Sequence, residues 1–429
     1  MQLSFGGLGR AVRSWTGVLA LCAGALWPAG AAQAQAAVAE VCESDDGDAK
    51  PAWKQFALAG ACFEVSGSAS YVYQKVVDTK GMAIPALNTQ RGPVFRQGAA
   101  PAPGQGGGSG PSYVHTGSLS LRVDTTRKTA AGDLKTGVEV KYQKASDDSG
   151  SGQLTLTEGV VSWAGWIAGY SDSLMNFWAG DFQFSATAPS RTVAIASYDF
   201  RLTENLKLTV AAETGVSTAP SSGGSFAPVA WDDPVASARL HYQADDLTLQ
   251  LSGLYHELTV GGATTFLRRF NRAREERMAG WAASFGLTRA LPQISEGSEF
   301  SMQATYAVNA SSYLGTAADL ASFSALIPMP GETEGWSVVG SYHHAWSEQW
   351  STNVMASRLA LDIKMPLASP NAVATRYAAN LIWKPVDDLQ IGGELGWVDF
   401  TLRPNGVAGF FPGTGGQAMV GYLFATWTF

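Results

Sequence analysis

The sequence predicts an all-β chain: a 16-stranded antiparallel transmembrane β-barrel with an inward-folded constriction loop. Three observations lead there. The C-terminal stretch alternates with period 2 and ends on an aromatic residue. Beyond the N-terminus, every apolar run is broken by polar residues before it could span a bilayer as a helix. The predicted strands are joined by connections that alternate between short and long.

The closing stretch is the clearest element. Counting back from the C-terminus, Phe429, Trp427, Ala425, Leu423, Gly421 and Met419 share one face. Thr428, Thr426, Phe424 and Tyr422 share the other, which is more polar or amphipathic. An ordinary buried strand also alternates this way, but as the last strand of a soluble sheet it would present an open edge. In a closed barrel the last strand pairs with the first, and aromatics sit at the membrane interface.

The N-terminus carries the chain out of the cytoplasm. Arg10 and Arg13 precede an apolar stretch from Trp15 to Trp27, then Pro28 and the small-residue run AGAAQAQA. This is the layout of a signal peptide over 1–34, with cleavage after Ala34, or alternatively after Ala36. The apolar core is shorter than the roughly 20 residues of a membrane anchor. Residues 35–61, with the acidic cluster over 43–48, read as a periplasmic N-terminal lead-in, and 62–429 as the outer-membrane β-barrel.

Composition agrees. The 429 residues include 48 Gly, 14 Trp, 13 Tyr and 19 Phe, with 15% charged residues. Mean hydropathy is zero. Soluble domains carry about 25% charge, whereas a wall with a polar inside and an apolar outside averages to neutral. The formal charge of −7 becomes −9 when Arg10 and Arg13 leave with the leader, which argues against a nucleic-acid partner. Cys22 leaves too. Cys42 and Cys62 remain in an oxidising compartment, either as unlinked thiols or as a disulfide. Closing a loop of this length contributes roughly 3 kcal/mol.

Strand candidates lie near 62–77, 112–124, 133–145, 153–163, 165–172, 193–202, 206–216 and 235–243. They continue near 247–258, 277–290, 298–309, 336–346, 351–363, 373–385, 389–402 and 417–429. The count is even, as a bacterial single-chain barrel requires. Short turns fall at 203–205, 244–246, 347–349 and 387–388, and long connections at 217–234, 259–276, 310–335, 364–372 and 403–416. That segregation puts short turns on the periplasmic rim and long loops outside. The faces also separate. Leu247, Leu249, Leu251, Gly253 and Tyr255 oppose Thr248, Gln250, Ser252 and His256. A dry core would leave that polar face unpaired at several kcal/mol per group, so it reads as the wall of a water-filled lumen. Residues 78–111 form a long Gly/Pro-rich loop.

Four segments carry a family resemblance. Cys42, then CFEVSG from Cys62, pairs a lead-in cysteine with one opening the first strand. EGVVSWAGWIAG over 158–169 is followed by SLMNFWAGD over 173–181. LIWKPVDDLQIGGE spans 381–394, and Phe429 is terminal. Together they resemble the alphaproteobacterial porin family, a group of trimeric, sixteen-stranded outer-membrane diffusion porins. The resemblance implies a homotrimer in the outer membrane of a Gram-negative bacterium. It also implies a paired Cys42 and Cys62, and a third loop that folds inward. The acidic segment between the cysteines and the long loop 78–111 depart from the family pattern.

Catalytic motifs are absent: there is no G-x-x-x-x-G-K loop, G-x-S-x-G elbow or H-E-x-x-H pair. His343 and His344 are adjacent, so on a strand they face opposite sides and cannot chelate one metal from one wall. The reading is therefore non-enzymatic, with no metal and no cofactor. It is a channel for passive diffusion of ions and small hydrophilic solutes, with outer-membrane lipid and lipopolysaccharide as surroundings. The rivals are an outer-membrane barrel enzyme of phospholipase or protease type, and a structural or adhesive barrel. The basic run over 268–277 reads as a solvated loop, with lipopolysaccharide phosphate as an alternative partner.

Residues 173–192 form the candidate site. Leu174, Met175, Phe177, Trp178, Phe182 and Phe184 are too much apolar surface for a solvated loop. Folding inward against the wall buries them. Asp181, and with it Asp172, then stands at the pore constriction. Arg122, Lys141, Arg239, Arg358 and Arg376 are the inward-parity cations expected on the facing wall.

Overall fold

The structure is a computed structural model. It describes residues 42, 54–80, 87–88, 92–93, 113–146, 152–214, 234–260, 276–315, 332–364, 369, 371–403 and 414–429. The leader over 1–34, nearly all of the lead-in before residue 54, most of the loop 78–111 and the basic run over 268–275 lie outside the described residues.

Sixteen strands close into one antiparallel barrel. In chain order they are β1 (Ala61–Lys80), β2 (Tyr113–Thr129), β3 (Gly132–Ala145) and β4 (Gln153–Trp163). Then come β5 (Trp166–Asp172), β6 (Thr192–Arg201), β7 (Leu206–Glu213) and β8 (Val235–Gln243). These are followed by β9 (Leu247–Val260), β10 (Glu276–Ala290), β11 (Glu299–Val308) and β12 (Glu332–Ala345). The last four are β13 (Trp350–Lys364), β14 (Asn371–Val386), β15 (Leu389–Arg403) and β16 (Thr414–Thr428). Each strand pairs with its sequence neighbours, and β16 pairs with β1 from Thr428↔Ser68 to Gln417↔Lys80. Among the described residues no helix is long and apolar enough to cross a membrane.

The outer wall follows from the alternation. Leu251, Phe285, Leu381, Leu395 and Leu423 are exposed on it, facing outward. Trp163, Trp166, Trp350, Trp383 and Trp427 ring the short-turn end, and Tyr113, Tyr255, Trp281, Tyr306, Trp336 and Tyr377 ring the long-loop end. Two aromatic girdles flanking an apolar band of roughly 25 Å is how a barrel matches a bilayer.

Closure of the seam needs one more element, which the strand list does not foresee. The strands are staggered, so the start of β1 runs past the end of the chain. Gly67 exchanges both backbone bonds with Phe429, at 3.0 and 2.9 Å. Below that point a short lead strand, Gln55–Leu58, takes over the same edge, pairing Gln55↔Glu64 to Leu58↔Ala61. The handover is a bond from Val65 N–H to the Lys54 carbonyl at 2.7 Å. Ala59 and Gly60, with φ of 53° and 74°, make the two-residue hairpin turn that needs positive φ at both positions. Cys42 is disulfide-bonded to Cys62 in β1, tying the lead-in to the barrel at this seam.

The wall is not uniform in height. β4 to β8 have 11, 7, 10, 8 and 9 residues. By contrast, β1 has 20 and β14 has 16. β5 pairs with β4 only over 159–163, so in the described ladders residues 153–158 of β4 are bonded on their β3 side alone.

Candidate pore constriction

The chain leaves the wall after β5 and returns at β6, and the intervening residues 173–191 lie inside the barrel. Apolar burial drives this. Leu174, Met175 and Phe184 are buried, with Met175 fully so, each contributing about 1.5–3 kcal/mol relative to exposure. The inner wall makes room for their rings with glycine. A Cβ on Gly396 would come within 2.5 Å of the Phe184 ring, and one on Gly286 would overlap Phe177.

A loop crossing a barrel must still satisfy its backbone. Wall side chains do this in sequence. At the root, Glu213 of β7 accepts from Ser173 Oγ at 2.8 Å, Leu174 N–H at 2.9 Å and Ser237 Oγ at 2.8 Å. Gln250 of β9 donates through Nε2 to the Leu174 and Asn176 carbonyls at 3.2 and 3.0 Å. Gln303 of β11 donates to the Met175 carbonyl at 2.8 Å and accepts from Trp178 N–H at 2.9 Å. The Trp178 indole donates to Ser341 Oγ of β12 at 2.9 Å. At the tip, Asn380 of β14 donates to the Asp181 carbonyl at 2.6 Å. Glu394 of β15 accepts from Gln183 N–H at 2.9 Å and Phe184 N–H at 2.6 Å. On the return, Thr187 N–H donates to Ser357 Oγ of β13 at 3.2 Å. The Arg191 guanidinium stands over the Tyr313 ring, 5.2 Å from its centroid. Neither Glu213 nor Glu394 was among the residues singled out from sequence.

The loop thus packs its root against β6 and β7, covers the inner faces of β9 to β16 and reaches Val72 of β1, and it leaves open the charged inner faces of β2 to β4 and the short-turn half of β6 to β8. Charges line that open side in two sectors. On β2–β4, Arg122 forms a two-bond fork to Asp124 at 2.7 and 2.9 Å, bonds Glu158, and lies 3.9 Å from Glu139. One cation therefore serves three carboxylates. Lys141 and Asp172 stand within electrostatic reach of Glu139. On β6–β8, Lys207 pairs with Asp199 at 3.1 Å, and Arg239 stands in reach of Asp199 and Glu213. Arg201 and His241 share this inner parity.

Asp181 is exposed to the lumen at the loop tip. The surrounding protein strips part of its solvation and raises its carboxyl above the usual aspartate range, with Lys384 and His343 acting in the opposite sense. Two of the expected facing cations lie elsewhere. Arg358 is exposed on the outer wall, because on β13 the inner face is Ser351, Asn353, Met355, Ser357, Leu359 and Leu361. Beneath the loop that inner face is uncharged, mixing Ser and Asn with Met and Leu. Arg376 is on the inner face but fully buried beneath the loop, donating through Nη1 to the Ser185 carbonyl at 2.8 Å and to Ser185 Oγ at 2.5 Å. It is an anchor of the loop and does not face the passage.

A family model described as a porin subfamily matches residues 102–409. The chain belongs to this porin family. No curated protein matches it. Among solved structures, this porin is similar to the outer-membrane channel DcaP of Acinetobacter baumannii. Identity is 16%, the match covers 87% of this chain and 99% of that one, and the TM-score is 0.62. Similarity extends to OmpT of Vibrio cholerae in trimer form, at 9% identity, 86% and 100% coverage and a TM-score of 0.49. The Rhodopseudomonas blastica porin triple mutant matches at 12% identity, 86% and 100% coverage and a TM-score of 0.42.

In the porin, no group of three or more His, Cys, Asp or Glu among the described residues could hold a metal ion. A hydrolase site would need Ser, His and an orienting carboxylate. Ser298 Oγ does lie 3.4 Å from His344 Nδ1, but the same nitrogen contacts the Tyr342 hydroxyl at 3.0 Å.

Proposed function

We propose that this porin is a non-enzymatic outer-membrane channel whose passage is the charged half-lumen left open by loop 173–191. The observation that carries the reading is the loop's path: rooted on Glu213 of β7, it is bonded side chain by side chain to β9–β15 and, among the described residues, makes no hydrogen bond to β1–β4. Solutes then pass between the acidic sector on β2–β4 and the more basic sector on β6–β8, with Asp181 at the loop tip. Opposed charges across a narrow passage orient water and favour polar or dipolar solutes over apolar ones. Arg122, Lys141, Arg239, Asp172 and Asp181 are the proposed constriction residues. Planar-bilayer recording tests this. Asp181→Asn should lower cation-over-anion permeability, read as reversal potential in a salt gradient, and removing residues 176–189 should raise single-channel conductance. If both leave both quantities unchanged in an inserted barrel, the loop is not the constriction.

The reading includes a homotrimer. Seven tilted residues of β5 rise roughly 18 Å, short of a 25 Å apolar band. The β4 edge over 153–158 carries backbone groups that lipid cannot pair, beside Leu154 and Leu156, both exposed. A protein neighbour on this low sector satisfies both demands. Light scattering of detergent-extracted protein should report three chains; a monomer at all concentrations would count against it. The rest of the belt faces lipid, with lipopolysaccharide proposed at the long-loop rim.

A further inference from the structure

We propose that Arg376 holds a small monovalent anion behind the constriction loop, with chloride as the anion in the cell. Arg376 is 1% exposed. Its Nη1 end is committed to Ser185. Its Nε and Nη2 have no hydrogen-bond partner. These two nitrogens form the side-on edge of the guanidinium, the edge that takes an anion with two parallel N–H bonds.

The surroundings offer no counter-charge of their own. Across the ladders the inner neighbours of Arg376 are Ser357 on β13 and Val398 on β15, and along β14 they are Ala374 and Ala378, both buried. The Phe184 ring stands 5.7 Å from the guanidinium carbon. Tyr422 is the titratable group in electrostatic reach. Glu394 is committed to Gln183, Phe184 and Asn380. Among the described residues Arg376 forms no ion pair. An arginine does not shed its proton to escape such a place, and a buried unpaired charge costs several kcal/mol.

A third unpartnered donor sits on the loop over the cross-strand neighbour of Arg376. The Thr187 hydroxyl is fully buried and has no partner. Thr187 N–H bonds Ser357 Oγ, and Ser357 is the direct cross-strand neighbour of Arg376 on the inner face. Two N–H groups and one hydroxyl around a single positive charge suit one negative charge. A water would satisfy the donors but leave the charge, and a divalent anion would leave an excess charge of the other sign in an apolar shell. The anion would pin residues 184–187 to β13–β15 from behind, at the stretch where the loop turns back.

Replacing chloride by bromide in crystals of the intact protein tests this directly. An anomalous peak is expected within hydrogen-bond reach of Arg376 Nε and Nη2, and Arg376→Met should lose it. The melting midpoint of the wild type should rise with chloride relative to gluconate at equal ionic strength, and that of Arg376→Met should not. If Arg376→Met does not fold, Thr187→Val should weaken the same chloride dependence. A water in the position, a carboxylate rotated onto the fork, or a peak that persists in Arg376→Met as an adventitious ion only would overturn the proposal.

Discussion

Glu394→Gln tests whether the loop tip is held by charge as well as shape. The carboxylate accepts from Gln183 N–H, Phe184 N–H and Asn380 Nδ2, at 2.9, 2.6 and 3.2 Å. An amide has the same outline but one acceptor oxygen. Whichever way it is turned, its NH2 faces a backbone N–H of the loop. At least one charge-assisted bond is lost and a buried donor is set against another donor, at a cost of about 1.5–3 kcal/mol. At about 1.4 kcal/mol per factor of ten, the released-tip population should rise roughly 10- to 100-fold. The root stays anchored through Glu213, so the barrel should still insert and assemble. Single-channel recording in planar bilayers is the assay. The expected trace shows excess open-channel noise and excursions to higher conductance, with Glu213→Gln acting at the root as a comparison. A variant that inserts normally and shows wild-type conductance and noise would refute the idea that Glu394 holds the tip.

Other outcomes follow from the same geometry. The raised carboxyl of Asp181 should take up its proton at a higher pH than an ordinary aspartate, so cation preference should fall on mild acidification, and Asp181→Asn should abolish that step in reversal-potential titrations. Because the folded-state value lies above the unfolded one, the loop's stability contribution from this group is full below the unfolded value and declines as pH rises through the folded one. Replacing Cys42 and Cys62 by Ser should lower the stability of the seam by roughly 3 kcal/mol, read in thermal unfolding, with conductance unchanged. Cysteines placed at Asn205 and Ser222 should label oppositely with an impermeant reagent on intact cells, Ser222 outside; labelling of Asn205 alone would invert the topology.

The strands were legible because lipid on one side and water on the other impose a period of two, and all sixteen fall where that alternation put them. The lead strand Gln55–Leu58 was not, since four residues carry too little pattern, and its role comes from the stagger of a seam that closes between the two ends of the barrel. The inward loop was legible from the apolar surface of Leu174, Met175, Phe177, Trp178, Phe182 and Phe184, and the family resemblance implied it too. Its anchors were not: Glu213 and Glu394 are single carboxylates on their inner faces, and nothing local distinguishes an anchor from a lumen charge. Gly392 and Gly396 beside Glu394 are the nearest signal, because they clear space for Phe424 and Phe184.

Arg358 shows why parity alone misplaces a residue. Assigning the charged parity to the lumen assumes that water fills the whole lumen. Here loop 173–191 turns the inner faces of β9–β16 into a packed interior, lined by Gln250, Ala282, Gln303, Val339, Met355, Leu359, Ala378 and Val420. Those strands place mostly uncharged side chains on the inner face, and a charge is then free to sit outside at the girdle. The open half keeps the ordinary rule, with Arg122, Glu139, Glu158, Asp199, Lys207 and Arg239 all inward. A run of consecutive strands whose inner parity holds amides and aliphatics where charges would be expected therefore marks the wall under the loop, and the charged strands mark the passage. The buried carboxylates that meet the loop, Glu213 at its root on β7 and Glu394 within the covered half, both bond its backbone, because a buried charge there persists only with donors around it.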